Sequence, residues 1–199
     1  MPANSSDAAP TKEKATISPV NVIKFLSLVG KLKSLDRSGW VRHGILKPES
    51  VASHMYRMSI ISLLMPAEPM LRDKVIKMSI VHDLAEAIVG DITPKDGVSP
   101  ELKYRKEHEA MMKIRQDLLE NSDVGQEIYE LWKEYEEGRS RCALLCKDID
   151  KFDMVLQAHE YEASQQKDLS EFFESTRGKF KTDVVSEWVS ALEEERRIK

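Results

Sequence analysis

Only two cysteines, Cys142 and Cys146, occur among 199 residues. Four positions apart on a segment with helical spacing, they suggest neither a disulfide framework nor a zinc knuckle, and read as two small, half-buried thiols in a reducing compartment. Long apolar runs are also missing. No stretch approaches the roughly 18 residues a membrane helix needs. The opening Met1–Thr16, rich in Ala, Ser and Pro, lacks the apolar centre of a secretory signal, so a cytoplasmic location is expected. Positive charge is not in excess: 30 Lys and Arg face 34 Asp and Glu, a net −4. That balance argues against a nucleic-acid polymer as the main partner, because such proteins present a concentrated basic face. Alternating strand patterns with hairpin turns are absent, as are internal repeats.

What remains is a helical pattern. The expected fold is all-α, a single bundle over residues 18–199 preceded by a flexible tail, residues 1–17. Ser18-Pro19 reads as cap and first helical position, opening a helix that ends near Gly30. An ordered loop is expected from Lys33 to Pro48. Helices follow at Glu49–Met65 and Arg72–Val89, the second closed by Gly90 and Pro94. Ser99-Pro100 opens a third to about Glu120. Further helices are expected at Val124–Glu137, Arg139–Gln165 and Asp183–Arg197, with an irregular stretch over Leu169–Phe180.

Within the apolar segment Val75–Val89, His82 and Asp83 stand side by side. A nitrogen donor and an anionic oxygen donor in a core-like helix must be paired, and a metal ion is a partner that satisfies both. Neighbouring helix residues point about 100° apart, so other segments must complete the shell. His54 upstream and Asp150 downstream offer donors. Two imidazoles and two carboxylates suit Mn, Fe, Co, Ni or Zn better than Mg or Ca, with Mg still open. One such ion per chain leaves room for water and a substrate oxygen. Glu86, four residues after His82 and three after Asp83, shares a helix face with both. It is the candidate general acid or base, the alternative being an outer carboxylate or a surface acid.

The order His54, His82-Asp83, Asp150 resembles the ligand set of the HD-domain metal-dependent phosphohydrolases. Gly39-Trp40-Val41-Arg42, Pro48-Glu49-Ser50-Val51, His82-Asp83-Leu84-Ala85-Glu86, Gly90-Asp91-Ile92-Thr93-Pro94, Tyr129–Glu136 and Leu156–Glu162 are similar to its 5'-deoxynucleotidase branch. The resemblance implies metal-dependent hydrolysis of nucleoside 5'-monophosphates, 2'-deoxy forms included, by a homodimer. It also implies a functional Asp91 that contacts substrate, the alternative being a turn carboxylate. Trp40 would offer a flat face to base or sugar, or else pack the loop. Phosphate oxygens call for guanidinium forks, for which Arg42 and Arg57 are the candidates. Bacterial members place an arginine directly before the tryptophan where this chain has Gly39, a role that Arg37 or Arg42 could take. Asp153 is expected one turn behind the final ligand as support, and Asp148 toward solvent. His108 and His159 read as structural or solvated, with His43 open. Two rivals stand beside this reading. A cyclic mononucleotide or dinucleotide phosphodiesterase would need further histidine ligands for a second metal, and a non-catalytic, metal-stabilised helical module would not need Glu86.

Overall fold

The computed structural model describes residues 16–198, whose regular structure is helical. In chain order the helices are α1 (Pro19–Gly30), α2 (Ser38–Arg42), α3 (Val51–Leu63), α4 (Pro69–Val81), α5 (Glu86–Val89), α6 (Pro100–Lys113), α7 (Asp123–Glu137), α8 (Arg141–Gln165), α9 (Ser170–Thr176) and α10 (Asp183–Ile198). Residues 1–15 of the expected tail lie outside the described residues, while Ile17 packs, partly buried, against a core cluster. Serine starts five of these helices. The hydroxyls of Ser18, Ser50, Ser99, Ser122 and Ser140 each accept from the backbone N–H three residues on, satisfying one of the donors a helix start leaves free. No helix among the described residues is long and apolar enough to cross a membrane.

At 25 residues, α8 is the spine. Its apolar positions Cys142, Leu145, Cys146 and Ile149 join Met58 of α3, Val75 and Met78 of α4 and Leu131 of α7 in one core cluster. Both cysteines are buried and free, deeper than the sequence suggested. Small polar side chains let three helices approach closely: the Ser62 and Ser79 hydroxyls lie 3.1 Å apart, and Ser79 lies 3.5 Å from the Cys146 thiol. This approach brings the segments bearing His54, His82 and Asp150 to one place.

Three local expectations change. The helix expected over Arg72–Val89 stops at Val81, and residues 82–85 form turns in which Leu84 N–H bonds Val81 O and Glu86 N–H bonds Asp83 O before α5 begins. The expected loop before Pro48 contains α2, whose first N–H, on Ser38, donates to Asp91 Oδ2 at 2.6 Å. The irregular stretch after Leu169 contains α9, held by burial of Leu169 and Phe173 in the cluster around Trp40. Contacts from distant segments stabilise both short helices, and local spacing carries no trace of them. Asp148 is a further correction: it is fully buried, and its Oδ2 accepts from Lys181 N–H, Thr182 N–H and the Thr182 hydroxyl at the start of α10.

Candidate metal centre and active-site cavity

His54 on α3, His82 at the end of α4 and Asp150 on α8 each bring one donor atom within 4.8 Å of the others. Asp83 completes the group, its Oδ2 lying 3.1 Å from His82 Nε2 and 3.8 Å from His54 Nε2. Each imidazole is oriented from behind. His54 Nδ1 meets Asp153 Oδ2 at 2.7 Å, and His82 Nδ1 meets the Ser79 carbonyl at 3.0 Å. With Nδ1 as the donor in both rings, both Nε2 atoms face the carboxylates. Both Nε2 atoms are buried without a hydrogen bond of acceptable geometry. Buried orphan nitrogens opposite two carboxylates are what a bound divalent cation would satisfy, so these residues fit one. Tyr135 donates its hydroxyl to the other Asp150 oxygen at 2.7 Å.

The charges agree with this arrangement. Burial opposes ionisation of Asp83 and Asp150, but the neighbouring imidazoles and the Arg37 guanidinium outweigh it and hold both carboxyls below the usual range. Burial and Arg37 also oppose a charged His54, yet its contacts with Asp150 and Asp153 raise it to about 9. Glu86 moves the other way. Burial first, then the charges of Asp83 and Asp91, push its carboxyl well above the ordinary value, and its Oε2 is buried without a partner.

These groups open onto a cavity of about 670 Å³ whose wall includes His82, Asp83, Glu86, Asp91, Asp150, Arg37, Trp40 and Arg42. Arg37 is the arginine at the centre, its Nη1 3.3 Å from Asp83 Oδ2. Its backbone N–H donates to Glu49 O at 3.0 Å, tying the loop before α2 to the start of α3. Arg42 lines the outer wall, where its guanidinium pairs with Asp96. Arg57 is a correction: the cavity wall does not include it, and its guanidinium is taken behind His54 by Asp153, Glu160 and Gln157. Trp40 borders the cavity but cannot offer a free face. It is 2% exposed, packed on Phe172 and Tyr161, with its indole N–H donating to Glu49. Asp91 reaches the wall while holding α2 through Ser38, so the turn carboxylate and the cavity residue are one group. A second cluster, Glu49, His54 and Asp153, lies behind the first, its carboxylates already paired with Trp40, His54 and Arg57.

The sequence reading missed the opposite wall, which α6 and α7 supply. Lys103, Tyr104 and Glu107 of α6 and Tyr135 and Glu136 of α7 line the same cavity. Burial, against the pull of Lys103 and with Glu136 and Asp83 adding to it, raises the Glu107 carboxyl to about 7. Lys103 and Glu107 sit i, i+4 among exposed charges, so the one available signal, a same-face pair, matched an ordinary solvated helix face.

A helical bundle that gathers two imidazoles and two carboxylates around one point defines the HD class of metal-binding domain. The chain belongs to the HD domain family, whose model matches residues 29–192. Similar proteins include the 5'-deoxynucleotidase HDDC2 of Bos taurus, 46% identical over 88% of this chain and 86% of that one. The 5'-deoxynucleotidase HDDC2 of Dictyostelium discoideum is 42% identical over 89% of this chain and 99% of its own. Among solved structures, a Pyrococcus horikoshii protein superposes with a TM-score of 0.70 at 34% identity, covering 89% of this chain and 99% of its own.

Proposed function

We propose that this protein is a metal-dependent 5'-nucleotidase that hydrolyses nucleoside 5'-monophosphates, deoxyribonucleotides included, to nucleoside and phosphate. One observation carries the reading: two buried imidazole nitrogens without a well-formed hydrogen bond face two carboxylates, and these carboxylates line the same cavity as Glu86, whose buried Oε2 has no hydrogen-bond partner. The relatives' naming as 5'-deoxynucleotidases supports the substrate class.

His54, His82, Asp83 and Asp150 would hold one divalent ion per chain, of the Mn, Fe, Co, Ni or Zn group that accepts mixed nitrogen and oxygen donors. When bound, such an ion supplies Lewis acidity toward a phosphoryl oxygen and makes a water acidic. The chain's own groups do the rest. Arg37, buried beside Asp83, clamps the phosphate oxygens that the ion leaves free, with Arg42 at the outer edge. Glu86, kept protonated by its burial and its anionic neighbours, donates the proton that the departing 5'-oxygen needs. Asp91 fixes the start of α2 through Ser38, so Arg37 and Trp40 stay in register with the cavity. Substrate contact by Asp91 belongs to the same proposal.

Two further parts of the reading concern the whole molecule. The buried free thiols suit the cytoplasm. Self-association as a homodimer is supported by an exposed apolar stripe of Tyr56, Ile60 and Leu63 on α3. Phosphate release should be measured from ribo and deoxy 5'-monophosphates after chelation and readdition of Mn, Co, Zn or Mg. Release that requires a metal and disappears with its binding in His82→Ala is the expected result. If no metal restores release from any nucleotide while chelation still lowers the melting temperature, the hydrolase reading fails in favour of a metal-stabilised module.

A further inference from the structure

The metal cage and Glu86 account for one end of the cavity. A nucleotide anchored there by its phosphate extends its sugar into the rest of the cavity, one wall of which is α6. Lys103 is the nearest cation on it, close enough to Asp83 and Glu86 to feel both charges. One turn on, Glu107 is 5% exposed and lines the cavity. Its ion-pair partner among the described residues is Lys103, at 3.5 Å, too long for a strong hydrogen bond. The Glu107 carboxyl lines the cavity with that one distant ammonium as its ion-pair partner, which leaves it acceptor capacity for a ligand.

We propose that Glu107 is a specificity-determining residue that accepts a hydrogen bond from the 3'-hydroxyl of the nucleotide sugar, with Lys103 holding its carboxylate in place. This rests on the nucleotidase reading. The choice of donor follows from the chemistry at that distance from the phosphate. Next to the departing 5'-oxygen come the sugar carbons, and on a deoxyribose the 3'-hydroxyl is the remaining O–H donor. A carboxyl offers an acceptor oxygen whether or not it is protonated. Base amino groups lie farther from the phosphate and differ between bases, so a fixed acceptor beside the catalytic end meets the sugar first.

The test compares a deoxynucleoside 5'-monophosphate with its 2',3'-dideoxy analogue, in wild type, Glu107→Leu and Glu107→Gln, each loaded with the same metal. Wild type should favour the free 3'-hydroxyl in kcat/KM by about ten- to a hundredfold, the scale of a hydrogen bond to a charged group. Glu107→Leu should bring the ratio close to one while retaining turnover of the dideoxy substrate. Glu107→Gln, which keeps an acceptor and loses the charge, should fall between them and also serves if the leucine variant does not fold. Calorimetric binding of both nucleotides to the metal-loaded wild type is read in parallel. A protein that binds the two unequally but releases no phosphate overturns the nucleotidase reading alone. Equal binding and equal kcat/KM in wild type, or a preference that survives in a folded Glu107→Leu, overturns the role of Glu107.

Discussion

Asp153→Asn is the most searching perturbation of the metal centre, because it alters no ligand. Both Asp153 oxygens are committed in a fully buried position, Oδ2 to His54 Nδ1 at 2.7 Å and Oδ1 to Arg57 Nε at 2.5 Å. Asparagine has the same shape but a single acceptor oxygen. Whichever donor that oxygen serves, the amide NH₂ faces the other donor, so either the His54 ring or the Arg57 guanidinium loses its anchor. The lost charge-assisted bond is worth about 1.5–3 kcal/mol. Independently, loss of a carboxylate behind a histidine ligand weakens metal binding about 10–100-fold, or about 1.4–2.8 kcal/mol. The agreement of these two ranges sets the expectation of a 10–100-fold higher Kd for the ion, read by equilibrium dialysis with elemental analysis. Activity should recover when the metal is raised in proportion. An unchanged Kd in folded Asp153→Asn and Asp153→Ala proteins alike would refute the claim that Asp153 orients His54 for a cation.

Glu86→Gln should retain the metal at wild-type stoichiometry and lower kcat by about 10²–10⁴, the usual worth of a positioned proton donor; full activity would remove Glu86 from the chemistry. Arg37→Met should raise KM for nucleotide far more than Arg42→Met does, and equal effects in steady-state kinetics would show that Arg37 is not the principal clamp. Trp40→Ala should cost about 3–5 kcal/mol of stability in chemical denaturation, since the ring is packed on Phe172 and Tyr161, and a neutral result would reopen it as a free substrate face. In the metal-free protein, His54 has its pKa raised from 6.5 to about 9. Its charged form therefore stabilises the fold fully below pH 6.5, and that contribution is lost as pH rises through about 9. The melting temperature of the chelated protein should fall across this window, while metal affinity, which competes with that proton, should rise; a flat melting temperature would contradict the raised pKa.

Residues close in sequence decided much of this protein in advance. Serine caps, proline at first helical positions and apolar spacing set where the long helices start to within a few residues, because each depends on contacts within one or two turns. Glu86 lines the same cavity as His82 and Asp83 although the helix expected to carry all three breaks between them. Tertiary structure alone decided which charges meet which. Arg57 reads from sequence as a phosphate ligand, but α8 presents Asp153 and Glu160 to it and withdraws it from the cavity. Arg37 enters because the loop before α2 is tied to the start of α3. Trp40 is closed off by Tyr161 and Phe172, more than a hundred residues away, and Asp148 is drawn inside by the start of α10. Spacing along one helix says which side chains share a face. Which distant helix covers that face depends on packing the whole bundle, and there the fates of Arg37, Arg57 and Glu107 were settled.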